Sequence, residues 1–542
     1  MALLVPNVPM PASEDKVLEA VAAMLGVRVT AIHATHLIRK SLDARHGKQN
    51  WRAVYRVEVD NEAALVGVAP GVRLWTEKDE VRYGVSDGAA PAKVVWPEGA
   101  RVIVIGAGPA GLFASLFLAE AGASVVLLER GGATAERVEA VNGFWRRMRE
   151  LDPENNLVFG EGGAGTFSDA KIYTRRRDGE IGYVLRRFVD FGARSDILEE
   201  GWAHLGTDKV RGILPVFRAR LMELGVDVRY NARVDDLIVE DGRVRGVVMA
   251  DGSVERATHV LAAPGHSARD TLTMLVKRGA DAVARPIAIG ARIEHPQSVI
   301  DAARYGAAKR GELPPASYRL AYNPPVGATA RTFCMCPGGM VVPAINHPGH
   351  VVVNGMSFAA QRAYWANAAI IVEVQPEQYG GTGPLAGYAW QDEIERRAFD
   401  AGGGDYSAPA QRVVDLFAKR PSKDAPKTSY PLGVKATDLT SVLPGDILAS
   451  MSGAIREFNR KLPGYICDDA LLIAPETRTT SPIRFLRTEG GESTSIRGLY
   501  PAGEGCGFGG GIVSCAIDGI RIAQHILDPS GRAAPADLPT HE

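Results

Sequence analysis

The sequence lacks a charge excess, a long apolar run and the pattern of a secretory signal. Its 62 basic and 63 acidic side chains nearly cancel over 542 residues and leave a formal net charge of −1, so neither nucleic acid nor an anionic membrane is an expected partner. No apolar stretch reaches the length of a transmembrane helix. The first residues have neither the basic start nor the long apolar core of a secretory signal. We therefore expect a cytoplasmic globular protein of two or three domains.

Cysteine is also scarce. Five cysteines, an odd number, do not make a disulfide framework in a chain of this length, and a reducing compartment suits them. Cys334 and Cys336 form a CxC pair and not the CxxC pair of dithiol redox centres, so we expect no dithiol–disulfide mechanism. The distant histidines do not complete a set of metal ligands around these thiols, so no metal site is predicted.

The strongest pattern that is present lies in residues 101–130, RVIVIGAGPAGLFASLFLAEAGASVVLLER. It predicts a buried strand (101–105), a glycine turn, a helix (110–121) and a second buried strand (124–128). The turn has GxGxxG spacing, and the second strand ends in an acid. The candidate binding residues of this fingerprint are Gly106, Gly108, Pro109, Ala110, Gly111, Glu129 and Arg130.

Each part of this fingerprint suits a bound dinucleotide. Gly106 permits the tight turn, Gly108 lets a pyrophosphate approach the backbone, and Gly111 lets helix and strand pack closely. The helix N-terminus offers free N–H groups and a partial positive charge to phosphates. Glu129 lies 18 residues after Gly111, near the ~20 expected for the carboxylate that binds a ribose. An ordinary βαβ turn would explain the glycines but not Glu129.

The fingerprint fits NAD and FAD better than NADP, because an acid at this place suits an unphosphorylated ribose. A second stretch, residues 496–527, contains a short strand, an acid, a glycine cluster and a helix. It resembles the late FAD motif of glutathione-reductase-like flavoproteins, in which the acid holds the ribityl chain and the helix N-terminus faces the flavin. The usual acid there is Asp, and this chain has Glu. Together the two motifs favour FAD. The candidates here are Gly503, Glu504, Gly510, Gly511 and Ile512.

Further candidates lie between the two motifs. Residues 159–171, FGEGGAGTFSDAK, form a glycine-rich loop whose N–H groups and hydroxyls suit a pyrophosphate or ribityl chain; a flexible surface loop is the alternative. A hairpin at 234–249 and a buried strand at 260–265 follow. These segments add Gly163, Thr166, Phe167, Ser168, Lys171, Val234 and Gly265 to the candidate cofactor site.

The order of these patterns predicts an α/β protein: a Rossmann-like FAD-binding domain with an inserted α+β substrate or cap domain and a small N-terminal α/β module. We place the module at 1–97, with a linker near 87–99, the FAD-binding domain at 98–279 and 462–542, and the cap at 280–461, with helices near 385–401 and 408–419. An inserted cap would exclude water from the flavin. A basic cluster in the module could bind an anionic partner, although a solvated sheet face explains it better. The cluster consists of Arg39, Lys40, Arg45, Lys48, Arg52 and Arg56.

Seven motifs are spread along the chain: RKSLDAR, GEGGAGTFSDAK, GARIEHPQ, FCMCPGG, VVVNGMS, ETRTTSPIRFLR and GLYPAGEG…GGGI. Together they resemble a family of uncharacterised bacterial FAD-dependent dehydrogenases within the glutathione-reductase-like and fumarate-reductase-like flavoproteins. The resemblance covers nearly the whole chain and implies FAD binding and an unspecified oxidation or reduction. Cys506 departs from the aromatic or small residue expected at its place.

Since a flavin carries the redox step, the protein has to position the substrate and move a proton. Arg478 precedes the last FAD strand and is a candidate for holding a substrate carboxylate or stabilising a reduced flavin; a structural ion pair is the alternative. Glu294 and His295 are candidates for a proton-transfer pair, although as a bare pair they are more often structural.

We expect non-covalent FAD and hydride transfer to or from a small organic molecule, by a dehydrogenase or reductase. The chain has one full dinucleotide fingerprint, so NAD(P)H would use a transient site, or another electron donor or acceptor, such as a protein, would serve. The alternatives are a flavin monooxygenase and a flavin-dependent RNA-modifying or interaction protein.

Overall fold

The computed structural model describes residues 2–10, 15–43, 50–83, 90–174, 178–306, 310–311, 313–325, 327–381 and 383–529. Arg45 and Lys48 of the predicted basic cluster and residues 87–89 of the predicted linker lie outside these ranges. The chain forms two compact units, one of Met1–Ala90 with Lys171–His204 and one of Pro91–Ala170 with Leu205–Glu542. Within the part of the chain that is described, no helix is long and apolar enough to cross a membrane.

Twelve α-helices lie in the described ranges. In chain order they are α1 (Asp15–Leu25), α2 (Glu77–Tyr83), α3 (Pro109–Ala121), α4 (Thr134–Trp145), α5 (Glu180–Asp190), α6 (Thr207–Glu223), α7 (Arg269–Lys277), α8 (Gln297–Tyr305), α9 (Ala386–Ala401), α10 (Val413–Phe417), α11 (Gly445–Lys461) and α12 (Ile512–Leu527).

The first unit contains a four-stranded sheet in the order β2-β3-β1-β4. Alternate residues of β3 are buried, among them Tyr55 and Val57, and they share one apolar cluster with Val21 and Leu25 of α1. The alternation follows from the pleat, which turns successive side chains to opposite faces. The strands are β1 (Leu3–Pro9), β2 (Ile32–Asp43), β3 (Asn50–Val59) and β4 (Arg73–Leu74).

The second unit has a parallel five-stranded sheet in the order β22-β11-β5-β6-β7. Its strands are β5 (Val102–Ile105), β6 (Val125–Leu128), β7 (Asp227–Arg229), β11 (His259–Ala262) and β22 (Leu499–Pro501). Because the strands are parallel, their carboxyl ends lie along one edge of the sheet, where ligands of such folds bind. A separate sheet follows the order β10-β9-β8. It consists of β8 (Val234–Glu240), β9 (Arg243–Met249) and β10 (Val254–Arg256).

A large mixed sheet forms the rest of the second unit, in the order β14-β15-β17-β13-β20-β18-β19, with β16 beside β15. Every residue of β13 is buried. The strands are β13 (Ile287–Pro296), β14 (Ala321–Tyr322), β15 (Ala330–Pro343), β16 (Val353–Met356), β17 (Trp365–Val374), β18 (Ala408–Arg412), β19 (Val434–Ala436) and β20 (Leu471–Glu476), and β12 (Ala282–Ala284) pairs separately with β21 (Ile483–Phe485).

The predicted helix at 408–419 is wrong in its first half. Residues 408–412 form β18, which pairs with β20 and β19, and only 413–417 are helical. Ala408 and Ala410 are fully buried in this sheet, and the hydrogen bonds to two neighbouring strands outweigh the helical preference of alanine. β20 lies after the predicted domain boundary at 461/462, whereas its partner strands, β13 and β18, lie before that boundary.

Candidate cofactor site

Three turns meet where β5, β11 and β22 end. An added Cβ on Gly106, whose φ is +99°, would lie 2.3 Å from the carbonyl oxygen of Ala263, and one on Gly505 would lie 2.4 Å from the carbonyl oxygen of Gly265. Real Cβ atoms do not approach oxygen so closely, so the turns pack this tightly only because glycine has no side chain. Gly265 itself has a φ of +78°. The structure thus brings the first and last predicted FAD motifs to one place.

Helices α3 and α12 pack against each other through glycine. A Cβ on Gly519 would lie 2.1 Å from the carbonyl oxygen of Ala110, and one on Gly503 would lie 3.1 Å from the Cβ of Ala110. Within the first βαβ unit, a Cβ on Gly111 would lie 1.9 Å from the carbonyl oxygen of Gly106. Gly111 therefore permits the close approach of helix and strand that the fingerprint predicts.

The loop at 159–171 joins the same site. Gly163–Phe167 is a short 3₁₀ helix. A Cβ on Gly163 would lie 3.1 Å from the Cα of Gly108, and one on Gly165 would lie 3.2 Å from Ile512. The loop therefore contacts the beginning of both α3 and α12.

The site fits the diphosphate of a dinucleotide. Around Gly108 and Gly510 no described atom lies within 4 Å of an added Cβ, in contrast to the crowded glycines beside them. Gly108 and Gly511 occupy the N-cap positions of α3 and α12 and have no side chain that could cap the helix, while the Gly510 N–H beside α12 donates to the Ser514 hydroxyl at 3.1 Å. Two helix N-termini with open glycines leave N–H groups and positive dipole ends for an anionic ligand.

Glu129 is buried and accepts three backbone hydrogen bonds: from Ala107 at 2.7 Å, Gly131 at 3.0 Å and Gly160 at 2.9 Å. Its carboxylate therefore joins the glycine turn, the end of β6 and the 159–171 loop. Charged acceptors of this kind contribute about 1.5–3 kcal/mol per hydrogen bond. The predicted contact of Glu129 with a ribose stays a prediction.

Arg130 follows at the same end of β6. Its guanidinium pairs with Asp270 at 2.5 Å and with Glu154 at 3.2 Å, and it lies over the ring of Phe159 at 4.4 Å from the centroid. Arg130 therefore connects the loop before the 3₁₀ helix with the start of α7. Val234 is the first residue of β8 and packs in the apolar cluster that contains Leu128.

Thr166, Phe167 and Ser168 are held by local contacts. The Thr166 hydroxyl donates to the carbonyl of Glu161 at 2.9 Å, and the Ser168 hydroxyl donates to that of Gly165 at 2.8 Å. Phe167 is buried. Lys171 belongs to the first unit, and its place in the cofactor site stays a prediction.

Arg137, which the sequence reasoning missed, organises this loop. The guanidinium is fully buried and donates to the carbonyls of Asn156 at 2.8 Å, Leu157 at 2.5 Å and Glu161 at 2.7 Å, and to the Thr166 hydroxyl at 3.0 Å. Burial lowers the pKa of Arg137 to about 9. The sequence offers no signal for this role, because Arg137 is one of several charged residues of α4.

Asp518 of α12 is a second residue that the sequence reasoning missed. It accepts from the Gly503 backbone at 2.8 Å and forms an ion pair with Arg487. Arg487 also donates to the carbonyl of Pro501 at 2.9 Å, so the pair fixes the turn that ends at Glu504. Cys506 is buried, donates to a backbone carbonyl, and has its pKa raised to about 12 by burial. Its thiol is therefore neutral near pH 7.

Arg478 is buried and forms an ion pair with Glu395. Its Nε donates to Oε1 of Glu395 at 2.9 Å, and its Nη2 donates to Oε2 at 2.5 Å. Its remaining nitrogen donates to Ser267 at 3.2 Å and to Asn346. Burial alone would raise the pKa of Glu395, but the charges of Arg478 and Arg269 outweigh it and hold the pKa at about 2. The arrangement corresponds to the structural alternative for Arg478, and its contact with flavin or substrate stays a prediction.

Glu294 and His295 do not form a proton-transfer pair. Because they are neighbours on β13, their side chains project to opposite faces of the sheet. Glu294 accepts from the Ser429 backbone at 3.1 Å, whereas His295 lies 2.8 Å through Nε2 from the carbonyl of Tyr465. Burial raises the pKa of Glu294 and lowers that of His295 to about 4. Both are inside the large sheet.

Two family models match consecutive parts of the chain. Residues 99–285 match an FAD binding domain, and residues 286–479 match the C-terminal-domain-like part of an FAD-dependent protein. The division falls at the start of the large sheet.

Similar proteins agree with these models. An uncharacterised protein of Clostridium beijerinckii is 37% identical over 97% of this chain and 99% of its own length. A thiamine thiazole synthase of Pyrococcus horikoshii is 25% identical over 33% of this chain and 62% of its own length. A digeranylgeranylglycerophospholipid reductase of Methanospirillum hungatei is 27% identical over 30% of this chain and 38% of its own length. The chain therefore belongs to the family of FAD-dependent flavoproteins that includes the Clostridium beijerinckii protein, and its cofactor is FAD.

Proposed function

We propose that this protein is a dehydrogenase or reductase that transfers a hydride between its FAD and a small organic substrate. The observation that carries the proposal is the junction of the glycine turns at Gly106, Gly265 and Gly505 with the uncapped starts of α3 and α12. When bound, FAD supplies the two-electron chemistry. The reductase among the similar proteins supports the reaction class.

Each part of the site has a proposed task. The open backbone at Gly108 and the start of α3 bind the diphosphate, and Glu129 orients the turn for the adenosine ribose. Glu504 binds the ribityl chain, while the start of α12 at Gly511 places its positive dipole end near the flavin pyrimidine ring. The large sheet beside the site excludes water from the reacting atoms.

The substrate is a small molecule, and FAD is held without a covalent bond. The second redox partner is NAD(P)H at a transient site or a separate electron donor or acceptor, such as a protein. The five cysteines, an odd number, favour a reducing cytoplasm.

Release of the flavin tests the cofactor claim. Acid precipitation of the purified protein should move one FAD per chain to the supernatant, and colour left in the pellet would contradict non-covalent binding. The reaction class is tested by anaerobic photoreduction, followed by a panel of acceptors and substrates while the flavin spectrum is recorded. Reoxidation by an organic acceptor without oxygen supports the proposal, whereas a hydroxylated product that requires O₂ would identify a monooxygenase instead.

A further inference from the structure

Arg211, on the second turn of α6, forms no ion pair with the described residues, and the charge of Asp208, one turn earlier on the same helix, offsets only part of the effect of its burial. Its guanidinium lies over the ring of Phe167, 4.2 Å from the centroid, and Nη2 is 4.0 Å from the sulfur of Met356. Nε is inaccessible to solvent and has no hydrogen-bond partner among the described residues. Among the described residues, no carboxylate oxygen lies within 4.0 Å of a nitrogen of Arg211.

A half-buried guanidinium in this state is energetically unfavourable. It has lost part of its hydration, and burial lowers its pKa. A desolvated charge is normally compensated by a partner. Arg478 shows the compensated case, because Glu395 faces it at 2.5 Å. An anion from outside the chain would compensate Arg211 in the same way.

The position of Arg211 indicates which anion this is. The start of α6 is fixed between the cofactor loop and the segment after β16: the Thr207 hydroxyl donates to the Thr166 carbonyl at 2.6 Å, and the Thr207 N–H donates to the Ser357 carbonyl at 2.9 Å. Gly108, the open glycine that suits phosphate, approaches Gly163 at the start of the 3₁₀ helix, whereas Thr166 and Phe167 lie at the end of that helix. Arg211 thus lies at the end of the loop that faces the large sheet.

The contacts of Arg211 are apolar on two sides. Phe167 presents its ring, which Arg137 also faces at 5.0 Å from the centroid, and Met356 presents its thioether. Phe358, two residues after Met356 in the sequence, is 45% exposed. A guanidinium fork binds a carboxylate through two parallel hydrogen bonds. From this geometry we infer that Arg211 binds the carboxylate of an anionic substrate whose body is apolar, which deepens the proposed function and rests on it.

Calorimetric titration with benzoate tests this inference, and benzamide serves as the neutral probe. We expect benzoate to bind the wild-type protein, and to bind it more tightly than benzamide does. Arg211→Met should weaken benzoate at least tenfold, and Arg211→Lys should restore part of the loss because it keeps the charge without the fork. Arg220→Met is the matched control on the same helix, since Arg220 pairs with Glu223 at the surface; it should bind benzoate like wild type.

Two further measurements separate the possible outcomes. The FAD dissociation constant, from flavin fluorescence, should change less than about twofold in Arg211→Met. A tenfold weaker FAD affinity of Arg211→Met with unchanged benzoate binding would assign Arg211 to the cofactor phosphates and overturn the inference. The inference would also be overturned if the wild-type protein did not bind benzoate, or if wild type and Arg211→Met bound benzoate equally. Calorimetry needs no flavin signal, so its result is independent of the acid-release test of the proposed function.

Discussion

The contact between α3 and α12 permits a sharp test of the proposed cofactor site, because one methyl group should disrupt it. Gly519→Ala would place a Cβ 2.1 Å from the carbonyl oxygen of Ala110, where ordinary contacts exceed 3 Å, so α12 has to move by about 1 Å. Such overpacking costs ~1–3 kcal/mol. The same substitution within a helix otherwise stabilises by ~1 kcal/mol, since alanine is the better helix former. We expect a net loss of about 1 kcal/mol and reduced FAD content.

Gly212→Ala is the matched control. Gly212 lies inside α6, is exposed, and an added Cβ there meets no described atom within 4 Å. It should raise the melting temperature slightly, while Gly519→Ala lowers it, and the two variants should differ by about 2 kcal/mol. Thermal melting and FAD content measured on both variants test whether α3 and α12 pack as closely as the structure shows. A Gly519→Ala protein as stable as Gly212→Ala, with one FAD per chain, would refute the close packing of α3 on α12.

Single substitutions at Gly108, Arg478 and His295 test the diphosphate site and two buried charged or titratable groups. Gly108→Val should leave the melting temperature of the FAD-free protein nearly unchanged and strongly weaken FAD binding, because the added side chain meets open space where the diphosphate is expected; full FAD content would contradict the site. Arg478→Ala should lower the melting temperature and reduce the free energy of unfolding by about 3 kcal/mol, because the buried carboxylate of Glu395 loses one of the two arginine charges that stabilise it. Arg478→Lys should keep turnover if the pair is structural, and lost turnover with full FAD would assign Arg478 to the reaction. The free energy of unfolding should fall as the pH drops from 6.5 to about 4, because His295 takes up a proton in the unfolded chain, whereas burial keeps the folded ring neutral. Over this window the loss reaches ~3 kcal/mol. Urea midpoints of wild type and His295→Gln at both pH values check this, and an unchanged pH dependence in the variant would contradict it.

The first FAD motif was predictable because its structure depends on neighbours in sequence. The helix predicted at 110–121 is observed as Pro109–Ala121, and the strand predicted at 124–128 as Val125–Leu128. Buried strands, a glycine turn and a helix stop at Gly122 are each set by residues within one turn or one strand. The late FAD motif, which ends in α12, was recognisable for the same reason. Both motifs, with the cofactor that they imply, could be read from the sequence.

The partners of the charged side chains could not be predicted in this way. Arg478 pairs with Glu395, which is 83 residues away, and Glu294 accepts from Ser429, which is 135 residues away. Any arginine of a sequence can pair with many acids, and burial in the folded core selects one of them. The same holds for Arg137, whose role depends on carbonyl groups that any sequence would offer.

The sequence by itself determined the βαβ unit, the glycine positions and the identity of the cofactor, because local spacing and backbone sterics specify them. Only the tertiary structure decided that Glu294 and His295 project to opposite faces, that 408–412 extend a sheet, and that Arg211 Nε is buried without a hydrogen-bond partner among the described residues. These properties depend on which distant segments pack together and on how much water they exclude, and neither is encoded within a short window of residues.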